Sequence, residues 1–339
     1  MLLALPAGLM ASLPLSGYLV TRFGSKRMAI TAAVCGPLVL IFLGLVTAVW
    51  QLAGVLFVFG LCGNLLNISI NTQAVGVEVL YGRSIMASFH GLWSLAGFTG
   101  AGIGFLVIPL GIAPFTHFCI ICVSILIAVF IINRYALDKD IGDNTPRPLF
   151  AKPDSFILKL GLIAFGCMVS EGTMFDWSGV YFQKVVQAPK ELVLLGNVCF
   201  MGMMAASRFF GDRLITKFGV KRMLQMSGIV IATGLLTAVI FPYIYSAAFG
   251  FLLVGSGVSS VVPMVYGLAG KSKTMSPGVA LSAVSSIGFI GFLMGPPVIG
   301  FIAQASSLRL SFTLIAVLGF GTTIMSTFVK TEQAQMQVA

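Results

Sequence analysis

A seven-residue phrase occurs twice in this chain. Thr21-Arg22-Phe23-Gly24-Ser25-Lys26-Arg27 returns 195 residues later as Thr216-Lys217-Phe218-Gly219-Val220-Lys221-Arg222, with six of the seven positions matched in residue or charge. Each copy lies between apolar stretches long enough to cross a bilayer, so each reads as a short basic turn between two membrane helices. A second pattern, S-x-x-G-F-x-G, runs from Ser94 to Gly100 and again from Ser285 to Gly291, 191 residues apart. Offsets that differ by only four residues imply a parallel duplication: two halves whose equivalent helices run the same way.

With 58% hydrophobic and 9% charged residues, the chain cannot cover itself with a water-soluble surface, and it reads as an all-α polytopic membrane protein. Apolar stretches run over roughly 1–20, 28–48, 51–77, 84–108, 114–133, 157–183, 192–211, 223–242, 245–270, 277–304 and 309–329. That is eleven spans of the about 20 residues a helix needs to cross the hydrocarbon core. A β-barrel would show short alternating segments instead. When the loops are assigned alternately to two sides, seventeen of the twenty Lys and Arg residues fall on one side, which is expected to be cytoplasmic. The formal charge of +10 follows from that topology, and no folded basic patch suited to nucleic acid is visible.

An odd span count puts residue 1 outside and the C-terminus inside. One helix precedes Arg22, whereas two follow the central linker before Lys217, so the repeat implies a twelve-span protein whose first helix is missing here. The expected organisation is an N-terminal bundle over 1–134, a cytoplasmic linker over 135–156, a C-terminal six-helix bundle over 157–330 and a tail over 331–339. The linker is the one long polar stretch, with Asp138, Asp140, Asp143, Pro146, Pro148 and Pro153. All six cysteines lie in apolar spans and read as small hydrophobes; Cys119 and Cys122 near His117 make a poor metal site.

Two parallel halves, a long central linker and a basic loop of the form G-x-x-x-D-R-x-G-R-R resemble the major facilitator superfamily. Gly17, Arg22, Gly24, Lys26 and Arg27 fit that loop, while Thr21 replaces its usual acid and Ser25 a usual Arg. The phrases Gly82 to Met86, His90 to Ser94 and Glu171 to Ser178 are similar to the rhizopine-protein-like and fucose-permease-related bacterial branch. The resemblance implies the major facilitator fold, transport rather than catalysis, no cofactor, and a monomer in the bacterial cytoplasmic membrane.

Polar groups inside the spans point to a transport path, because a charge near the bilayer centre costs about 2.5 to 3.5 kcal/mol on insertion scales. Glu171 and Asp176 are such groups, about 140° apart on one helix. If Glu171 faces a cavity and carries a coupling proton, Asp176 faces a neighbouring helix or an outer gate. Asn64, Asn67 and Asn71, with Glu78, form a stripe suited either to a hydroxylated solute or to helix association. Glu78, at the end of its helix, is expected to pair with Arg83. His90 reads as a structural imidazole or a proton relay, and Trp93 and Trp177 as packing residues or stacking surfaces for a sugar-like ring. Arg208 and Asp212, at i and i+4, read as a gate latch at the end of their helix, ahead of Lys217, Gly219, Lys221 and Arg222.

The function expected is therefore secondary transport of a small polar solute such as a sugar or polyol, driven by protons or another ion. A drug or metabolite exporter, or a non-transporting membrane protein or truncated carrier, are the alternatives. No H-E-x-x-H, P-loop or nucleophile elbow is present to suggest an enzyme.

Overall fold

The computed structural model describes residues 4–107, 110–140 and 153–329. Residues 141–152 of the expected linker, with Arg147 and Lys152, the tail from Lys330, and the side chain of Ala101 lie outside the described residues. Regular structure among the described residues is helical. The helices are α1 (Ala4–Phe23), α2 (Ser25–Phe42), α3 (Val49–Tyr81), α4 (Met86–Val107), α5 (Pro114–Ile132), α6 (Ser155–Lys184), α7 (Leu195–Phe218), α8 (Val220–Ile240), α9 (Ile244–Ser259), α10 (Val261–Ala269), α11 (Pro277–Ala305) and α12 (Leu308–Thr327). Ser260 alone separates α9 from α10, so the described residues form eleven rods. Ten are long and apolar enough to cross a membrane; α4, of 22 residues, is the eleventh. Each of the eleven stretches expected from sequence overlaps one of these rods, with limits that differ by several residues at some ends.

The repeated phrase produces a repeated backbone. Gly24 alone separates α1 from α2, with φ 87° and ψ 145°, and Gly219 alone separates α7 from α8, with φ 80° and ψ 152°. A side chain is strongly disfavoured in that region, so the glycine of each copy is dictated by the tightness of its turn.

The break between α9 and α10 has a local cause in Pro263. Proline has no N–H to offer the carbonyl four residues back and its ring crowds that carbonyl, so the helix stops at Ser259. In contrast, α11 runs unbroken through Pro296 and Pro297.

The chain divides into two compact units, and they are not the two sequence halves. The first comprises 1–82, 95–153 and 269–286; the second comprises 83–94, 154–268 and 287–339. Each unit therefore takes the opening stretch of one helix from the other half of the sequence: α11 in the first unit, α4 in the second. In the first unit, Ser282 Oγ of α11 donates to the Leu13 carbonyl of α1, and the Thr21 and Ser276 hydroxyls bond at 2.7 Å. Glu78, at the end of α3, forms an ion pair with Lys271 at 2.8 Å. That partner lies 193 positions away and is not visible to sequence periodicity.

The start of the linker is fastened to the first unit. Gln73 on α3 accepts from Leu137 N at 2.8 Å and donates to Leu137 O at 3.0 Å. Asp140 accepts from Ser25 N at 2.8 Å and from the Ser25 hydroxyl, so it satisfies an orphan N–H in the first turn of α2. Asp138 pairs with Lys26 at 2.7 Å. The Lys26 ammonium holds the Asp138 carboxyl below its ordinary range, first by the hydrogen bond and then by charge. With its folded value depressed, this link is present at neutral pH and is lost only as pH falls through that lowered value.

In the second unit α8 and α9 cross in close backbone contact. Gly234 and Gly250 each lie against the other's carbonyl oxygen, leaving no room for a Cβ. Gly250→Val is expected to force the helices apart and to cost about 1 to 3 kcal/mol or more. Gly202→Val on α7, where a Cβ meets nothing within 4 Å, serves as the control. Thermal unfolding followed by size-exclusion fluorescence checks this, and equal midpoints for the two variants would refute it.

Candidate functional site

Sequence placed Arg208 at the end of its span, and the structure corrects that. Helix α7 continues to Phe218, because the polar residues Arg213 and Lys217 extend the helix beyond the apolar stretch instead of ending it. Arg208 is consequently about 20 Å from the start of α7 and about 15 Å from its end. Glu171 is similarly central, about 24 Å along α6 and about 20 Å from its end. The two meet: Arg208 Nη2 lies 4.0 Å from Glu171 Oε1, with the side chains only 12% and 15% exposed. At an effective dielectric constant near 20 the attraction is on the order of 4 kcal/mol before desolvation is counted against it.

Arg208 and Asp212 do not pair with each other; each has separate partners. Arg208 Nη1 donates to Ser94 Oγ on α4, and Nε donates to the Ser259 carbonyl at 3.4 Å. That carbonyl is the one Pro263 leaves without a helical N–H, so the break in α9 and the position of Arg208 are linked. The Ser94 hydroxyl donates in turn to the His90 carbonyl at 3.1 Å. The His90 ring stands edge-on to Tyr266, centroids 6.0 Å apart, and its buried Nε2 has no hydrogen-bond partner. One turn beyond Glu171, Phe175 packs edge-on against Phe200 and Phe292, with centroids 5.5 and 6.3 Å away.

Asp212 caps α4. Its carboxylate accepts from Ala87 N at 3.0 Å, Ser88 N at 2.6 Å, the Ser88 hydroxyl, and Ser84 Oγ at 3.4 Å. An acid at a helix N-terminus satisfies orphan N–H groups and meets the positive end of the dipole. The contact joins a helix of the first sequence half to one of the second. At the matching repeat position α1 carries Gly17, against Gly278 and Ser282 of α11, where a Cβ would lie 3.1 Å from the Gly278 carbonyl oxygen. One of the paired crossings is thus charged and the other close-packed and neutral.

Asn64 is buried in the first unit and donates to Ser16 Oγ of α1 at 3.2 Å, an interhelical bond. Asn71 donates to the Asn67 carbonyl of its own helix at 2.9 Å. The Oδ1 atoms of Asn64 and Asn67 are buried without partners. Asp176 is exposed. Trp177 is half-buried and its indole N–H donates to the Pro296 carbonyl at 3.0 Å, so the ring serves the α6–α11 contact. Trp93 is 60% exposed. The cysteines are free. Among the described residues no group of three His, Cys, Asp or Glu is placed to hold a metal.

The residues that sequence reasoning missed are Ser259, Tyr266 and Ser88, together with the central position of Arg208. A signal existed for Arg208 alone: a cation flanked by Ala205, Ala206, Phe209 and Phe210 is an intramembrane charge.

A family model described as the Major Facilitator Superfamily matches residues 1–276. The chain belongs to the major facilitator superfamily. Similar proteins of this superfamily include an uncharacterized MFS-type transporter of Yersinia pestis, 33% identical over 94% of this chain and 83% of the relative. Membrane protein MosC of Rhizobium meliloti is 30% identical over 94% of this chain and 78% of its own length. Solved structures with the same fold include the Escherichia coli fucose:proton symporter FucP, with a TM-score of 0.75 at 14% identity, covering 97% of this chain and 93% of that one. The human organic anion transporter MFSD10 has a TM-score of 0.77 at 15% identity, covering 96% and 83%. At such identities these structures establish the major facilitator fold alone.

Proposed function

We propose that this major facilitator protein is a secondary transporter of a small polar solute, coupled to protons, with Glu171 as the group that carries the proton. The observation behind this reading is the Glu171–Arg208 pair, a carboxylate and a guanidinium held 4.0 Å apart midway along two membrane helices. Charges placed there are costly, and they persist where a path or a relay uses them. A carboxylate whose partner lies beyond hydrogen-bonding distance retains acceptor capacity for a proton or a solute hydroxyl.

In this reading the two sequence halves rock about the site, and the ties between them at the start of α4 and of α11 open and close with the cycle. Asp212 with Ser88, and Thr21 with Ser276, act as the latches. Glu78, bonded to Lys271, acts with them. The side carrying the basic turns is the cytoplasmic one. FucP is a fucose:proton symporter and a further neighbour, XylE, is a proton:xylose symporter, with a TM-score of 0.73 at 13% identity over 96% of this chain and 84% of that one. Both support proton coupling, while the organic anion transporter shows that the same fold is not confined to neutral sugars.

The test uses purified protein in sealed vesicles holding a pH-sensitive dye. A panel of sugars, polyols and their acids is added outside, and at least one is expected to drive protons inward only when the protein is present. A panel that moves solute without protons would remove the coupling assignment; a panel that moves neither would remove the transport reading.

A further inference from the structure

We infer that the solute taken by this site carries an acidic group and that Arg208 binds it. This rests on the proton-coupled reading above and names the substrate class for the same site.

Arg208 is 12% exposed, and among the described residues Glu171 is its one anionic partner within 4.0 Å. Its hydrogen-bond partners, the Ser94 hydroxyl and the Ser259 carbonyl, are neutral. Asp212, one turn along α7, is bonded to Ala87, Ser88 and Ser84 at the start of α4 and forms no ion pair with Arg208. Among the described residues the other titratable side chains that interact electrostatically with the pair are His90 and Cys167, and neither a neutral imidazole nor a thiol supplies a counter-charge to a guanidinium.

With Glu171 unprotonated the pair therefore holds one positive and one negative charge. When Glu171 takes a proton, a buried guanidinium is left without a counter-ion, a state that proteins avoid. A neutral sugar cannot repair it, whereas a solute bearing one carboxylate or similar anion can. Proton and anion then bind together and cross with no net charge, which makes coupling obligatory.

Geometry provides for the anion. At 4.0 Å the guanidinium is not locked to Glu171 by a hydrogen bond. Guanidinium has five N–H groups in a planar fork, and the two neutral contacts use its Nη1 and Nε. N–H groups on the Nη atoms remain for a bidentate carboxylate. The unpartnered Nε2 of His90, one turn from Ser94 on the same face of α4, is a second polar atom in the cluster whose partner is unaccounted for.

The experiment compares acids with their neutral counterparts, gluconate with sorbitol and galacturonate with galactose, in vesicles containing the full chain. Under an inward proton gradient an acid is expected to accumulate at least about tenfold over its counterpart. Its uptake should not change when a potassium diffusion potential of either sign is imposed. Arg208→Gln should lose the acid uptake at least about tenfold, with Arg208→Lys retaining part of it. If Arg208→Gln fails to fold, judged by its melting profile, the insensitivity of the unaltered protein to the potential decides the matter. Proton-linked entry of sorbitol or galactose, accelerated by a negative interior, would overturn the anion assignment and leave the transport reading standing. Entry of neither class would count against both.

Discussion

Replacing Glu171 with Gln is expected to abolish proton-driven solute accumulation, by at least about tenfold, while leaving solute-for-solute exchange across the membrane intact. Exchange requires the loaded site to reorient but not to release a proton, and a carboxamide can still bond to a solute or to Arg208. Accumulation requires a group that gains a proton on one side and loses it on the other, which Gln cannot do. The two activities are separated by measuring labelled-solute uptake under a pH gradient, then counterflow without one. Asp176→Asn, at an exposed position on the same helix, should leave the stoichiometry of protons to solute unchanged. A Glu171→Gln protein that still moves protons at the normal ratio would shift the assignment to His90 or to a group outside this cluster.

The second large effect is expected at Asp212. Asp212→Ala leaves the Ala87 and Ser88 N–H groups and the Ser88 hydroxyl without their acceptor, in a part of α4 where Ala87 is fully buried. Each unsatisfied buried group costs about 1 to 3 kcal/mol, and the lost charge–dipole interaction adds about 0.3 to 1 kcal/mol. The melting temperature of the purified protein should therefore fall by several degrees. Asp212→Asn keeps one acceptor oxygen and loses the charge, so its melting temperature should lie between those of the alanine variant and the unaltered protein. In the transport reading the same change weakens a tie between the sequence halves, so cysteines placed at the start of α4 should react faster with aqueous reagents. Identical melting of all three proteins would show that the contact contributes nothing.

Arg208 shows how far a helix can outrun its apolar stretch. Run length ends the span with the apolar stretch, yet a helix continues as long as its backbone bonds are satisfied, and Arg213 and Lys217 are good helix formers that reach water with their ends. Drawing the boundary seven residues early moved a mid-helix cation to the helix end and made Asp212 its apparent partner. Glu171 was legible because an acid inside an apolar stretch is conspicuous by itself. Asn64 was legible as a polar group but not in its direction. The wheel aligned it with Asn67 and Asn71, while its actual bond is to Ser16 on α1.

Local chemistry accounts for the helical class, the eleven apolar stretches and both basic turns, since each depends on hydrophobic run length or on a residue's own backbone limits. The glycines at 24 and 219 adopt the same positive-φ geometry because the same phrase surrounds them. Pro263 likewise carries its own consequence, the break at Ser259. Pairings between distant segments carry no periodic signature. Glu171 with Arg208, Asp212 with the first turn of α4, Glu78 with Lys271 and Asp140 with Ser25 each depend on which helix faces lie together, and hydrophobic patterning barely constrains this when helices are apolar nearly all round. Packing made those choices, and with them which charges share a site.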